Sequence, residues 1–326
     1  MVSLILGPND AVCCSKTGRA AMLRRVIEIS GEGRRLSLNR GFLSISGPDG
    51  LLGEVPLDDV EAVIAATPSL SYTNQAVAAL AERGAPLAIC GKDFRPVAWL
   101  LPVSGHHAQG VRMEAQASCP RARKARLWAQ IVKSKLTAQA EALERTERPS
   151  AQLRRLIRAF RSEDAATLEA QAAQRYFPLM FGDGFRRDRN SEGINALLNY
   201  GYTVLRAATA RAIVAAGMNP SLSLFHGSRG DGLRLADDLI EPFRPTVDLT
   251  VLGLAEDGRL ELTPGVKRAL ATVLASDFRS PAGTGPLSNA LVRLAQSLSQ
   301  AFADPSASLA LPDPLIPLQA NDGCST

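Results

Sequence analysis

The sequence predicts an α+β chain in which a small N-terminal β-rich domain precedes a larger, mainly α-helical one. Three observations carry this. Apolar and polar residues alternate in short runs as far as Leu101, the period changes to 3.6 after Ser104, and 326 residues with 46% apolar content suffice for two separate cores.

Taken in order, Arg25–Ser30, Arg35–Asn39 and Phe42–Ser46 alternate with period two and are separated by Gly31, Gly33 and the Gly47-Pro48-Asp49-Gly50 turn signal. Leu51–Val55, Val60–Ala65, Pro86–Cys90 and Pro96–Leu101 follow as strands, while Asn74–Arg83 has helical spacing and stops at Gly84. Patterning begins only after Met22. Residues 1–21 are therefore expected to be a disordered extension or an upstream-start artefact, with a β-rich domain over 22–105. The Gly- and His-containing stretch from Ser104 marks a boundary, and residues 106–118 are expected to be a linker. His106 and His107 fit linker polarity, since adjacent rings do not easily face one ion. Helices are expected at Arg121–Arg145, Ala151–Phe160, Ala165–Phe177, Ile194–Ala216, Arg234–Ile240, Pro264–Ala275 and Leu287–Phe302, within a catalytic domain over 119–304. Residues 305–326, with Pro305, Pro312, Pro314 and Pro317, read as a flexible tail or a docking strand.

Composition excludes several classes. Cys13, Cys14, Cys90, Cys119 and Cys324 are odd in number and form no CxxC, which argues against a disulfide framework or a cysteine zinc site and for a reducing cytoplasm. No run reaches the roughly 18 apolar residues of a membrane helix, because the uncharged stretch Ala62–Leu80 is broken by Pro68 and polar residues. No Gly-rich phosphate loop and no GxSxG elbow is present.

Charge is concentrated. Arg121–Arg161 holds twelve Lys and Arg against Glu141, Glu144 and Glu147, a net +9 in a chain of net +5, so the remainder carries −4. Such a block on helices is either a solvated face or the footprint of a phosphate-backbone binder. Arg154, Arg155 and Arg158 are its candidate DNA contacts, and an aromatic content of 5% favours duplex backbone over a single-strand stacking platform.

Three segments hold the remaining chemistry: LEAQAAQRYF at Leu168–Phe177, NSEGINALLNYGYTVLRA at Asn190–Ala207 and SLFHGSRGDGLRLADDLIEPFRP at Ser223–Pro245. Singly, Glu169 reads as a helix-surface carboxylate, His226 as a core histidine, and Asp237, Asp238 and Glu241 as acids favoured by a helix dipole. Together they supply the carboxylate oxygens and single imidazole that suit Mg²⁺ or Mn²⁺, with Asp238 and Glu241 at i and i+3 on one helix face. Asn195, Tyr200, Tyr202, Ser228 and Arg229 are candidates for positioning DNA, the two tyrosines equally for core packing. Arg244 is either a phosphate clamp or an ion-pair partner of Asp248.

The segments E-x-x-x-A-x-x-YF at Glu169–Phe177, INALLNYGYT at Ile194–Thr203, NPSLSLFH ending at His226 and LADDLIEPFRPTVD at Leu235–Asp248 resemble the CRISPR-associated adaptation integrase, in the versions found beside the large RNA-guided effector nuclease. The stretch Ser276–Thr326 lies outside the resemblance. It implies a metal-dependent DNA endonuclease and integrase that inserts spacers into a CRISPR array by attack of a DNA 3′-hydroxyl on a phosphodiester. It places Mg²⁺ or Mn²⁺ on Glu169, His226 and Glu241, with Asp238 behind them or as an alternative ligand. Partners implied are double-stranded spacer precursor and repeat DNA, a second copy through the sheet-rich domain, a small adaptation subunit bridging two dimers into a heterohexamer, and the effector nuclease, with no membrane. The rival reading is a catalytically inactive architectural DNA binder, against which all three candidate ligands speak. Alanine at any ligand is expected to spare folding, and Asp238→Ala to be milder.

Overall fold

The computed structural model describes residues 25–91, 96–188, 190–227, 232–280 and 283–318. Met22 and the expected extension over 1–21 lie outside them, as do Ser228, Arg229 and residues 319–326. The chain divides into two compact units between Gly105 and His106.

The first unit holds β1 (Arg25–Ile29), β2 (Arg35–Asn39), β3 (Phe42–Gly47), β4 (Gly50–Pro56), β5 (Val60–Ala65), β6 (Ser71–Tyr72), α1 (Asn74–Glu82), β7 (Leu87–Cys90) and β8 (Pro96–Leu100). One sheet has the order β1-β5-β7-β8, parallel except for the last pair. The other has the order β4-β3-β2-β6, an antiparallel meander with β6 added parallel to β2. β5 is apolar at five of six positions because neighbours flank it on both sides, and all six are buried. Ile27, Ile29, Leu36, Leu43, Ile45, Val63 and Leu87 form the core with Leu80 of α1, each contributing roughly 1.5–3 kcal/mol by leaving water. Thr73 caps α1 by accepting the Ala76 amide, and Gly84, at φ +68°, turns the chain out of it. Phe42, Leu51, Leu52 and Tyr72, all on the meander sheet, remain exposed.

The second unit holds α2 (Gln109–Ser118), α3 (Arg121–Arg145), α4 (Ala151–Arg158), α5 (Ala165–Phe181), α6 (Ile194–Ala215), α7 (Arg234–Leu239), α8 (Arg244–Glu256), α9 (Pro264–Ala271), a hairpin of β9 (Asp277–Ser280) and β10 (Gly283–Pro286), and α10 (Leu287–Ala303). α3, rich in Ala, Leu, Lys, Arg and Gln, buries Leu127, Ile131, Leu136 and Leu143 and packs on α4, α5 and α8. Gly201 of α6 lets α8 cross closely, since a Cβ there would collide with Val247.

Three expectations are corrected. Residues 109–118 are helix rather than linker: buried Gln116 donates to Asn219 O and Leu222 O at 2.9 and 2.8 Å and accepts the Asn219 amide, tying α2 to the chain after α6. α8 is missing from the expected helices, and Pro245 occupies its first turn, where its missing N–H costs nothing. Residues 305–318 are not a loose tail. Leu309, Leu315 and Ile316 are buried, Arg123 holds Asp304 O and Ala307 O at 3.1 Å, and Glu141 accepts the Leu315 amide at 2.9 Å.

Candidate active site

Side chains from α3, α5, α7, α8 and the turn Glu241–Phe243 build the site. Lys135, on the inward face of α3, stands between two carboxylates. Its Nζ donates to Glu169 Oε1 of α5 at 2.7 Å and lies 2.6 Å from Glu241 Oε2 in an ion pair. Arg244 takes the other oxygen, with Nη2 3.0 Å from Glu241 Oε1. Glu241 is 3% exposed at its side chain, against 18% for Glu169. Burial disfavours the Glu241 charge, but Arg244 and Lys135 outweigh it and hold the carboxyl below its ordinary pKa. Burial likewise opposes the Lys135 ammonium, and Glu241 and Glu169 overcome it and push its pKa up.

Asp238 and Glu241 do not share a helix face. α7 ends at Leu239 because Pro242 cannot continue it, and the chain tightens into a 3₁₀ turn beginning at Glu241. Asp238 consequently points toward the segment Ser223–His226. Its Oδ1 meets His226 Nδ1 at 2.7 Å and accepts the His226 amide at 3.2 Å, while Oδ2 accepts the Leu224 and Phe225 amides at 2.6 and 3.3 Å. With Nδ1 facing a carboxylate, Nε2 is left as the outward nitrogen. The hydrogen bond that His226 donates to Asp238 outweighs burial and raises the His226 pKa, to which Glu241 also contributes. Phe225, half exposed, stacks on Trp128 with centroids 4.8 Å apart, and His226 meets the same indole edge-on at 5.5 Å.

Glu169 and Glu241 therefore converge on Lys135, and His226 is near enough to Glu241 for each charge to favour the other. Among the described residues, no three His, Cys, Asp or Glu side chains stand close enough to cage a metal ion. Asp237 is held by Arg206 of α6 at 2.9 Å.

Three of the positioning candidates, Asn195, Tyr200 and Tyr202, make contacts within the fold, and Ser228 and Arg229 lie outside the described residues. Tyr202 and Tyr176 are buried and donate to Asp248 Oδ1 and Oδ2 at 2.5 and 2.9 Å. Arg244 lies over the Tyr202 ring, 4.6 Å from its centroid, and its ion pair is with Glu241 rather than Asp248. Asn195 ties down the chain before α6 through Arg186 O and the Asp188 amide, and Tyr200 lies under Lys267. In the basic block, Arg154 is clamped by Glu144 through Nε at 2.8 Å and Nη2 at 2.6 Å, whereas Arg155 and Arg158 are exposed.

Burial pushes the Asp248 carboxyl up to about 6. The native state thus keeps its proton where the unfolded chain, near 3.9, has released it, and stability falls as pH rises from about 4 to 6 by roughly 3 kcal/mol. Asp248→Asn should abolish that fall. Thermal melts are expected to show the variant-minus-parent difference rising by roughly 6–12 °C between pH 4 and pH 7, and a constant difference would refute it.

The family model described as CRISPR associated protein Cas1 matches residues 27–280, through both units and every site residue named above. The chain belongs to the Cas1 family. Among relatives, the CRISPR-associated endonuclease Cas1 of Neisseria meningitidis serogroup C is 42% identical over 246 residues, covering 74% of this chain and 80% of its own. Among solved structures, a casposase bound to an integration product superposes with TM-score 0.74 at 18% identity, over 88% of this chain and 92% of that one. A chain of a Cas6-RT-Cas1–Cas2 complex gives 0.67 at 19%, over 89% of this chain and 36% of that one. At those identities the structural likeness establishes the Cas1 fold, β-rich then helical, as the sequence predicts. No helix among the described residues is long and apolar enough to cross a membrane.

Proposed function

We propose that this Cas1 chain is a divalent-metal-dependent DNA endonuclease and integrase of CRISPR adaptation. The observation that carries the reading is the convergence of Glu169 and Glu241, from distant segments, on a single cation position beside a histidine fixed by Asp238. Two carboxylates and an imidazole suit Mg²⁺ or Mn²⁺. Without an ion the three side chains stand too far apart to cage one, so Glu169, Glu241 and His226 Nε2 would have to draw together to hold it; its chemistry there would be to neutralise charge on the phosphodiester under attack and on its leaving oxygen.

The chain's own residues orient and neutralise. Asp238 fixes the imidazole so that Nε2 faces outward, Arg244 holds Glu241 in place, and Arg155 and Arg158 present cations to the duplex backbone. Support for DNA and for a small Cas2-type partner comes from the named relatives, an endonuclease, a casposase on its integration product and a Cas1–Cas2 assembly. A second copy would cover Phe42, Leu51, Leu52 and Tyr72 on the meander sheet. Association with the effector nuclease, a heterohexamer and a cytoplasmic setting belong to the same proposal.

Joining of a DNA 3′ end to a supercoiled plasmid carrying a CRISPR repeat, with and without Mg²⁺ or Mn²⁺, tests the reading. Binding without joining in either metal would instead identify an architectural DNA binder. For the basic face, Arg155→Ala with Arg158→Ala should lower the magnitude of the log–log salt slope of duplex binding by about 2, near 0.9 for each phosphate no longer neutralised. Arg154→Ala should leave it unchanged because Glu144 occupies that guanidinium. Equal slopes in all three proteins would make α4 an ordinary solvated face.

A further inference from the structure

Lys135 has a role that the ligand set leaves unassigned. It is 8% exposed and lies against both proposed carboxylate ligands, at the position their oxygens share. An ammonium there and a divalent ion bound at about 2.0–2.1 Å by the same oxygens exclude one another, by space and by charge. The neighbourhood is also balanced without a metal, since Lys135, Arg187 and Arg244 face Glu169, Glu241 and Asp248.

We propose that Lys135 is a built-in counter-ion that holds the two carboxylates in liganding position in the metal-free protein and is exchanged for the divalent ion on loading, its ammonium turning into the adjoining cavity beside Gln139. The inference rests on the metal-site reading above. A destination for the ammonium exists. A cavity of about 100 Å³ opens beside Lys135, lined also by Gln139, Phe177, Tyr202, the Arg187 and Arg244 guanidiniums and the Asp248 carboxyl, and it exceeds the roughly 30 Å³ share of one water molecule. Gln139 follows Lys135 by one helical turn on α3, so both side chains lie on the same face. Its Oε1 is buried and has no hydrogen-bond partner, an acceptor whose isolation is costly unless something visits it. Gln139 would accept the ammonium in the loaded state, and Glu241 would stay in place because Arg244 still holds its other oxygen.

This arrangement fixes the sign of a measurement. Removing Lys135 removes the competitor while Arg244 keeps Glu241 positioned, so Lys135→Gln should bind Mn²⁺ about ten-fold more tightly than the parent chain in calorimetric titration. Its metal-free melting temperature should be lower and its rise on adding Mn²⁺ larger. A Lys135 whose task is to contact DNA phosphate predicts unchanged Mn²⁺ affinity and weakened DNA binding, and that outcome overturns the exchange. If Lys135→Gln does not fold without metal, Gln139→Leu serves instead. It keeps every proposed ligand, removes the acceptor in the cavity and should weaken Mn²⁺ binding about five-fold, with no change overturning the proposal. A parent chain whose melting temperature ignores Mn²⁺ overturns the metal reading as well, whereas binding that is sensitive to Glu169→Ala but equal in parent and both variants overturns the exchange alone.

Discussion

Glu169→Ala is expected to remove divalent-dependent strand joining by about three orders of magnitude or more, while the thermal midpoint moves by only a few degrees. The Glu169 side chain is partly exposed and shares Lys135 with Glu241, so its loss leaves the lysine paired. Glu241 is different. It is buried between Lys135 and Arg244, and alanine there would leave Lys135 on Glu169 alone and strand the Arg244 guanidinium, a defect that costs about 3–5 kcal/mol in comparable buried pairs. The expectation that any ligand can be truncated without harm to folding therefore fails for Glu241 on the geometry of its partners. Glu241→Gln is the variant that separates chemistry from stability, because it keeps the shape and one hydrogen-bonding oxygen. It should lose joining on the scale of Glu169→Ala with a smaller thermal shift. Plasmid-joining gels in Mg²⁺ and Mn²⁺, run beside thermal melts, read both quantities. A His226→Ala protein that joins DNA at the parental rate would sink the metal-site reading.

The elements that the sequence disclosed are those whose signal is local. α3 runs from Arg121 to Arg145 as its periodicity predicts, since a long helix buries one stripe continuously. The strands follow from alternation and from the glycines between them. What was hidden depends on distance. Lys135 reads as one of twelve cations in a basic block, because its partners lie 34 and more residues along the chain and leave no trace beside it. The same holds for Arg123, spent on the carbonyls of the C-terminal segment, while Arg154 is spent on Glu144 within the block itself. A charge count of a helix thus overstates its free cationic face by the number of side chains the fold recruits inward.

Proline mislead in the other direction. The spacing of Asp238 and Glu241 suggests one shared helix face, and Pro242 is the residue that separates them. By ending α7 it sends Asp238 toward His226 and Glu241 toward Lys135, so neighbouring acids serve different halves of the site. The residue types were legible as metal-site chemistry. Their division of labour required the turn.

That division sets the last expectation. Asp238 is fully buried and accepts from the Leu224, Phe225 and His226 amides while also meeting His226 Nδ1. Asp238→Ala leaves those donors without an acceptor, at about 1–3 kcal/mol for each unsatisfied buried group, and frees the imidazole to rotate. It should be as damaging as His226→Ala rather than milder, and should also lower the melting temperature, which His226→Ala, removing a half-buried ring, should do far less. Asp238→Asn isolates the orienting role. Its single amide oxygen can keep the Leu224 and Phe225 amides, but its NH₂ then faces His226 and forces Nδ1 to accept, which places the proton on Nε2 and withdraws the lone pair from the site. Joining should fall by about 10- to 100-fold, the usual consequence of losing a partner that orients a ligand, with Mn²⁺ binding weakened rather than lost. If Asp238→Asn abolishes Mn²⁺ binding while Glu241→Gln retains it, Asp238 and not Glu241 is the third ligand, and the carboxylate pair about Lys135 is a structural ion pair beside the site.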